Sequence, residues 1–310
     1  MEDYPRTQLE FERRFATEEA CRAFLAKVRW PDGYVCRTCS SDAVWLTGRG
    51  RFRCLSCRAE TSVTAGTVFQ DTHLSLLLWF RAMWCVTSQK TGASAQHIQR
   101  MLGLGSYKTA WALMHKLRYA MVRPGRDRLR GTVEADETYY GGEEAGVDGR
   151  QTLRKAIVAV AVEVDGRKIG RIRLKQIPRA DRATIHAFLR ETIEPGSTLL
   201  TDGHASYKGL PGYLHQPTAQ LRQPAGAFVL PRAHRVISLL KRWLLGTHQG
   251  AVERSYLDYY LDEFTFRFNR RTSRSRGKLF YRLIQHAIAM QPLTFDMLTQ
   301  PQPVDDGGVK

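Results

Sequence analysis

The chain has 310 residues, long enough for two or three modules, and its 47 Lys and Arg against 30 Asp and Glu leave a formal net charge of +17. That charge points to a polyanionic partner, nucleic acid before an anionic membrane surface. The longest apolar run is LSLLLWF (74–80), too short for a membrane span, and the opening MEDYPRTQLEFERRF lacks the apolar stretch of a signal peptide, so a cytoplasmic protein with reduced thiols is expected.

Residues 1–30 read as an N-terminal helical segment. Residues 31–66 carry four of the six cysteines as Cys36-Arg-Thr-Cys39 and Cys54-Leu-Ser-Cys57. The spacing C-x2-C-x14-C-x2-C is that of a zinc ribbon, in which each knuckle aims two thiolates at one point. A closed shell of four thiolates suits one structural Zn²⁺ rather than a catalytic ion. Between the pairs, Val44, Leu46 and Phe52 flanking Gly48-Arg49-Gly50 predict a small hairpin whose Arg49, Arg51 and Arg53 suit phosphate contact. Cys21 and Cys85 lie in helix-like runs and read as small buried hydrophobes.

Residues 67–122 form a helical module. Ser94 is an N-cap candidate, LGLGS breaks the first helix, and Ser106 can cap a second with Ala110, Leu113, Met114 and Leu117 at helical spacing. Helix, Gly-bearing turn, helix is helix-turn-helix geometry, with Lys108, Lys116 and Arg118 as candidate DNA contacts. Many such hairpins bind nothing; the ribbon upstream and the positive balance favour DNA. RPGRDRLRG marks a linker over 123–130.

Residues 131–292 change period. GTVEADETYYGG, KAIVAVAVEVD and RKIGRIRLKQIP read as three strands in a meander, followed by a helix over 179–196 and a short strand, STLLTDG, ending in Asp202. Helices follow near 232–245, 252–268 and 278–290. This order predicts an α/β fold, an RNase H-like mixed sheet flanked by helices. In such a sheet the first strand is central and the fourth lies beside it, which would bring Asp136 and Asp202 together. Two converging carboxylates in a basic protein call for a cation, and Mg²⁺ or Mn²⁺ suits them. Two ions about 3.5–4 Å apart would activate a water or sugar hydroxyl and stabilise the leaving oxygen. For Glu134, Glu143 and Glu144 pairing with nearby arginines is the expectation, and Glu137 has no derivable role.

VEADETYYGG, LLTDGHASYKGL, HRVISLLKRWLLGTHQGAV and YLDEFTFRFNRR, with the ribbon in front, resemble bacterial insertion-sequence transposases of the ISXO-like group over about residues 15–290. The resemblance implies a DDE-type catalytic domain with Asp136 and Asp202 as its first two acids. At the third acidic position stands His234, seven residues before Lys241, so the chain looks like an Asp-Asp-His variant with its lysine. A neutral imidazole can ligate a divalent ion. Glu253 and Glu263 are fallback ligands. Arg242, Arg270 and Arg271 are further candidate DNA contacts. The implied activity is hydrolysis at transposon ends and joining of the 3′-OH to target double-stranded DNA, by a homodimer or larger assembly on DNA in the bacterial nucleoid. Two other readings stay open: a zinc-ribbon DNA-binding regulator with an inactive RNase H-like domain, and a structure-selective nuclease without strand transfer. The segment 293–310 is expected to be a disordered tail.

Overall fold

The computed structural model describes residues 2–123, 125–142, 155–217 and 229–300. They divide into two compact units, one of residues up to 124 together with 272–300, the other of residues 125–271. Glu143, Glu144 and residues 301–310 lie outside the described residues.

The first unit begins with α1 (Gln8–Arg14) and α2 (Glu18–Arg29), whose N-caps Thr7 and Thr17 each accept a backbone N–H. The ribbon follows as an antiparallel sheet in the order β1 (Val44–Leu46), β2 (Phe52–Cys54), β3 (Glu60–Thr61). The ribbon's small core is made mainly of cysteines and aromatics. Trp30, Tyr34 and Phe52 meet with ring centroids 4.8–5.2 Å apart, against the buried Cys36 and Cys54.

Three helices follow: α3 (Leu76–Ser88), α4 (Ala95–Leu102) and α5 (Tyr107–Ala120). Ser94 and Ser106 cap α4 and α5 as their sequence positions predict, accepting from His97 N and Lys108 N. Gly103 ends α4 in the left-handed region at φ 65°, which a side chain would strain. α4 and α5 are thus two capped helices joined by a short Gly-bearing turn and packed on α3.

The last predicted helix, α9 (Arg276–Ala289), is part of this first unit and not of the sheet-bearing domain expected to run to 292. Its fully buried Phe280 lies 5.4–6.5 Å, centroid to centroid, from Phe11, Phe15, Phe24, Phe80 and Trp84. An apolar helical stripe tells that a helix is covered, not by what. Residues 295–299, expected to be disordered, form the short helix α10 (Phe295–Thr299), capped by Thr294.

The second unit is built on a five-stranded sheet in the order β6-β5-β4-β7-β8. Its strands are β4 (Thr132–Tyr140), β5 (Ala156–Asp165), β6 (Lys168–Ile177), β7 (Thr198–Thr201) and β8 (Leu214–Pro217). The first three pair antiparallel, while β4–β7 and β7–β8 are parallel, the expected RNase H-like arrangement with β4 central. The short and mostly exposed β8 has no alternating pattern to reveal it in the sequence.

β5 is buried on both faces, which explains its run of Val, Ala and Ile. One face packs on α6 (Arg182–Thr192) through Ile185, Phe188 and Leu189. The other packs on α7 (Pro231–His248) and α8 (Leu257–Phe268) through Val236, Leu240, Leu244, Leu257 and Leu261. α8 and the residues after it also screen the edge strand β6: Asn269 bonds both the N–H (2.8 Å) and the carbonyl (3.1 Å) of Ile172, and Asp258 accepts from Gln176 N at 2.8 Å. Among the described residues no helix is long and apolar enough to cross a membrane.

Candidate active site and zinc site

In the ribbon, the ligand atoms of Cys36, Cys39, Cys54 and Cys57 all lie within 4.8 Å of one another. Cys36 and Cys57 are 3.5 Å apart at sulfur, as are Cys39 and Cys54. Backbone N–H groups in the knuckles turn toward the sulfurs. They lower the Cys36 thiol, through Thr38 first, and bring Cys54 down to about 6, through Cys57 first. Four converging sulfurs with amide donors behind them fit a tetrahedral Zn²⁺. Cys21 and Cys85 are buried, as expected of lone cysteines.

The second constellation lies on the central strand of the second unit. Glu134, Asp136 and Thr138 share one pleat face of β4, toward α7; Glu137 faces the other way, toward α6. The parallel pairing of β4 with β7 carries Asp202, one residue past the end of β7, to the same end of the sheet. Asp202 Oδ1 accepts from His204 N at 2.9 Å, a tight turn that Gly203 permits at φ 85°. His234 stands on the first turn of α7, its Nε2 4.0 Å from Asp136 Oδ2. The side chain of Asp136 is 15% exposed and that of His234 44%, so both remain reachable.

Tyr207 ends a turn of 3-10 helix (Ala205–Tyr207) that follows Asp202. Its buried hydroxyl donates to Glu137 Oε2 at 2.6 Å. Its ionisation is pushed well above the tyrosine range, by burial first and then by the negative charges of Glu137, Asp136 and Asp202. Two carboxylates at one end of the sheet, Asp136 and Asp202, with the His234 imidazole beside the first, are a donor set that fits Mg²⁺ or Mn²⁺. Among the described residues only the four cysteines bring three or more candidate ligands within 4.8 Å, so the Asp136, Asp202 and His234 set is more open than the zinc site.

Lys241 lies seven residues after His234 on α7, about 10 Å along the axis and on nearly the same side. His234, Ser238, Lys241 and Arg242 are all exposed, forming one polar stripe along the helix beside its buried face. The fallback ligands are placed differently. Glu263 is fully buried, its carboxylate 3.6 Å from Arg267, and Glu253 is exposed ahead of a 3-10 turn.

Glu134 was expected to pair with an arginine, and it does so in a particular way. The carboxylate, 1% exposed, accepts from Arg232 Nη1 at 2.9 Å and from the backbone N–H groups of Arg232 and Ala233, both at 2.8 Å.

The candidate DNA contacts divide. Arg49, Arg51, Lys108 and Arg242 are exposed, and Lys108 Nζ lies 4.3 Å from the Phe295 ring centroid. Arg53 pairs loosely with Glu60 at 3.9 Å. Lys116 is half-buried, and desolvation lowers its ionisation. Arg118 is only 1% exposed and cannot reach a DNA backbone; beyond its first turn α5 is largely interior. Arg270 lies over the Phe266 ring, and Arg271 lies over Phe268 and donates to the carbonyls of Ile169 and Gly170, so both brace the second unit.

A family model described as an ISXO2-like transposase domain matches residues 128–269, and one described as a transposase zinc-ribbon domain matches residues 16–60. The chain therefore carries an ISXO2-like transposase domain behind a transposase zinc ribbon. A protein named as uncharacterized, in transposable element ISH50 of Halobacterium salinarum, is 27% identical over 289 residues, which is 85% of this chain and 94% of that relative. No solved structure matches the chain. The matched transposase domain lies inside the second unit and stops before α9. It contains Asp136, Asp202, His234 and Lys241.

Proposed function

We propose that this transposase hydrolyses the phosphodiester at the ends of its mobile element and joins the freed 3′-OH to target DNA. The observation that carries the reading is the parallel register of β4 and β7, which brings Asp136 and Asp202, far apart in the chain, to one end of the sheet, with His234 Nε2 4.0 Å from Asp136 Oδ2. Asp136, Asp202 and His234 would hold two Mg²⁺ or Mn²⁺ ions. When bound, the ions supply activation of the attacking oxygen and charge neutralisation at the leaving one. The protein positions the phosphodiester: Lys241, on the His234 side of α7, meets a phosphate beside the scissile one. In the first step a water oxygen bonds to phosphorus and the 3′ oxygen leaves and takes a proton. In the second, that 3′-OH attacks a target phosphodiester and displaces the target's own 3′ oxygen. The ribbon, through Arg49 and Arg51, and the first turn of α5, through Lys108, would recognise the terminal repeats in a dimeric or larger assembly.

The test is purified zinc-loaded protein incubated with a labelled element end and a target plasmid, in Mg²⁺ and separately in Mn²⁺. Cleavage followed by joining is expected. Cleavage without joining would establish a nuclease, and end binding without cleavage in either ion would establish a regulator.

A further inference from the structure

We propose that Glu134 and Arg232 are positioning residues which clamp the first turn of α7 to β4 and so set His234 over Asp136. This rests on reading His234 as a metal ligand. Ordinarily the free amides of a helix's first turn bond to an N-cap side chain. The N-cap of α7 is Leu230, which has no such group, and Pro231 follows it. Glu134 Oε2 takes the amides of Arg232 and Ala233 instead, across 98 and 99 residues of chain. Its other oxygen accepts from Arg232 Nη1, while Arg232 Nη2 donates to Gly166 O at 2.6 Å and Nε to Lys168 O at 3.3 Å. One ion pair thereby ties together α7, the central strand and the β5–β6 turn.

The remainder of α7 meets the sheet through Val236, Ile237, Leu240 and Leu244. Such contacts are non-directional: they decide which side of the helix faces down and only loosely fix its position along the axis. Hydrogen bonds to one carboxylate fix it closely. His234 directly follows the clamped Ala233, and Asp136 lies two residues from Glu134 on the same pleat face, so the clamp and the Asp136–His234 contact are adjacent on both elements. An apolar side chain at this position would leave both first-turn amides without this acceptor, so the bonds that offset the cost of burying the Glu134 charge are the same ones that hold α7 in place.

The test is Mn²⁺ binding to the full zinc-loaded chain, read from the free-ion paramagnetic resonance signal, with circular dichroism as a folding control. His234→Ala should weaken Mn²⁺ binding. Glu134→Gln, which keeps an acceptor for the amides but loses the pairing charge, should raise the Mn²⁺ Kd about tenfold, as outer partners of metal ligands do. In the His234→Ala background, Glu134→Gln should have no further effect. A loss of the same size in both backgrounds would mean that Glu134 acts only through its charge or by general loosening, and no loss in either would make the clamp irrelevant; either overturns the proposal. Arg232→Lys, which retains a cation beside Glu134, should give a smaller rise, again only where His234 is present. If His234→Ala leaves Mn²⁺ binding unchanged, the ligand reading itself is wrong, an outcome distinct from failure of the clamp.

Discussion

Phe280→Ala should destabilise the ribbon-bearing unit and spare the sheet. Phe280 has no exposed surface and meets five aromatic rings within 6.5 Å, contributed by α1, α2, α3 and the residue that ends α1. Truncating a buried phenylalanine removes its transfer free energy and leaves a cavity, costing about 3–5 kcal/mol. The upper half of that range applies here, because rings held edge-to-face cannot collapse into the gap without losing their own geometry. For a unit of about 150 residues, each kcal/mol lowers the melting temperature by about 2–4 °C, so a fall of roughly 8–20 °C is expected. The assay is amide hydrogen exchange with mass readout, supported by calorimetry. Amides of α2, α3 and α9 should lose protection while those of β5 keep theirs. Loss of protection in β5 with α3 unchanged would refute the placement of α9, and the domain boundary drawn at Arg271 with it.

Asp136→Asn should abolish end cleavage by at least about a hundredfold while leaving end binding within twofold, measured by gel shift; equal loss of both would mean that the residue serves DNA contact or folding. Cys54→Ser should leave about one zinc fewer per chain by elemental analysis and unfold the ribbon, since thiolate sites supply folding free energy to small modules. Burial raises the Asp262 carboxyl from 3.8 to about 8, so the folded chain keeps a proton there that the unfolded chain releases. Stability should therefore be highest below about pH 4 as far as this group is concerned and fall as pH rises toward 8. Asp262→Asn should flatten that slope in urea titrations, and an unchanged slope would refute the assignment. Arg51→Ala should reduce the salt dependence of end binding by about one ion, whereas Arg118→Ala should lower thermal stability and leave the salt slope unchanged, because a buried guanidinium releases no counterion from DNA.

What was legible in the sequence followed from short-range rules. Ser94 and Ser106 announce helix starts because a hydroxyl at that position bonds an amide two or three residues on. The cysteine spacing gave away the ribbon because two knuckles and one ion leave little choice of geometry. The meander follows from sequential strands pairing with their neighbours, whereas the return of the fourth strand to the side of the first, which puts Asp202 near Asp136, was legible only from the RNase H-like order of elements. What stayed hidden depended on partners far along the chain. An arginine such as Arg118 reads as surface in any window, and only the packing of α5 reveals it as interior. The role of Glu134 lies in amides 98 residues away, and that of Glu137 in a phenol 70 residues away.

These hidden contacts share a logic that bears on how the catalytic face is held. β4 presents acids to both of its faces, and each outer acid is engaged: Glu134 by the first turn of α7, Glu137 by the hydroxyl of Tyr207. Asp136, between them, bonds the N–H of Glu137 through Oδ1, while Oδ2 faces His234. Bracing on opposite faces, at the two acids that flank Asp136, restrains the strand in the directions in which a ligand could drift, toward α7 and toward α6. Reactions that depend on in-line geometry lose rate steeply with displacements of about 1 Å, so such bracing matters more than any single stabilising contact. The conservative swap Glu137→Gln bears on the same bracing: it keeps an oxygen to accept from Tyr207 and should retain most cleavage activity. Glu137→Ala leaves the buried phenol without that acceptor and should lower the cleavage rate while end binding holds. Equal activity in the two variants would show that the α6 side of the strand needs no brace.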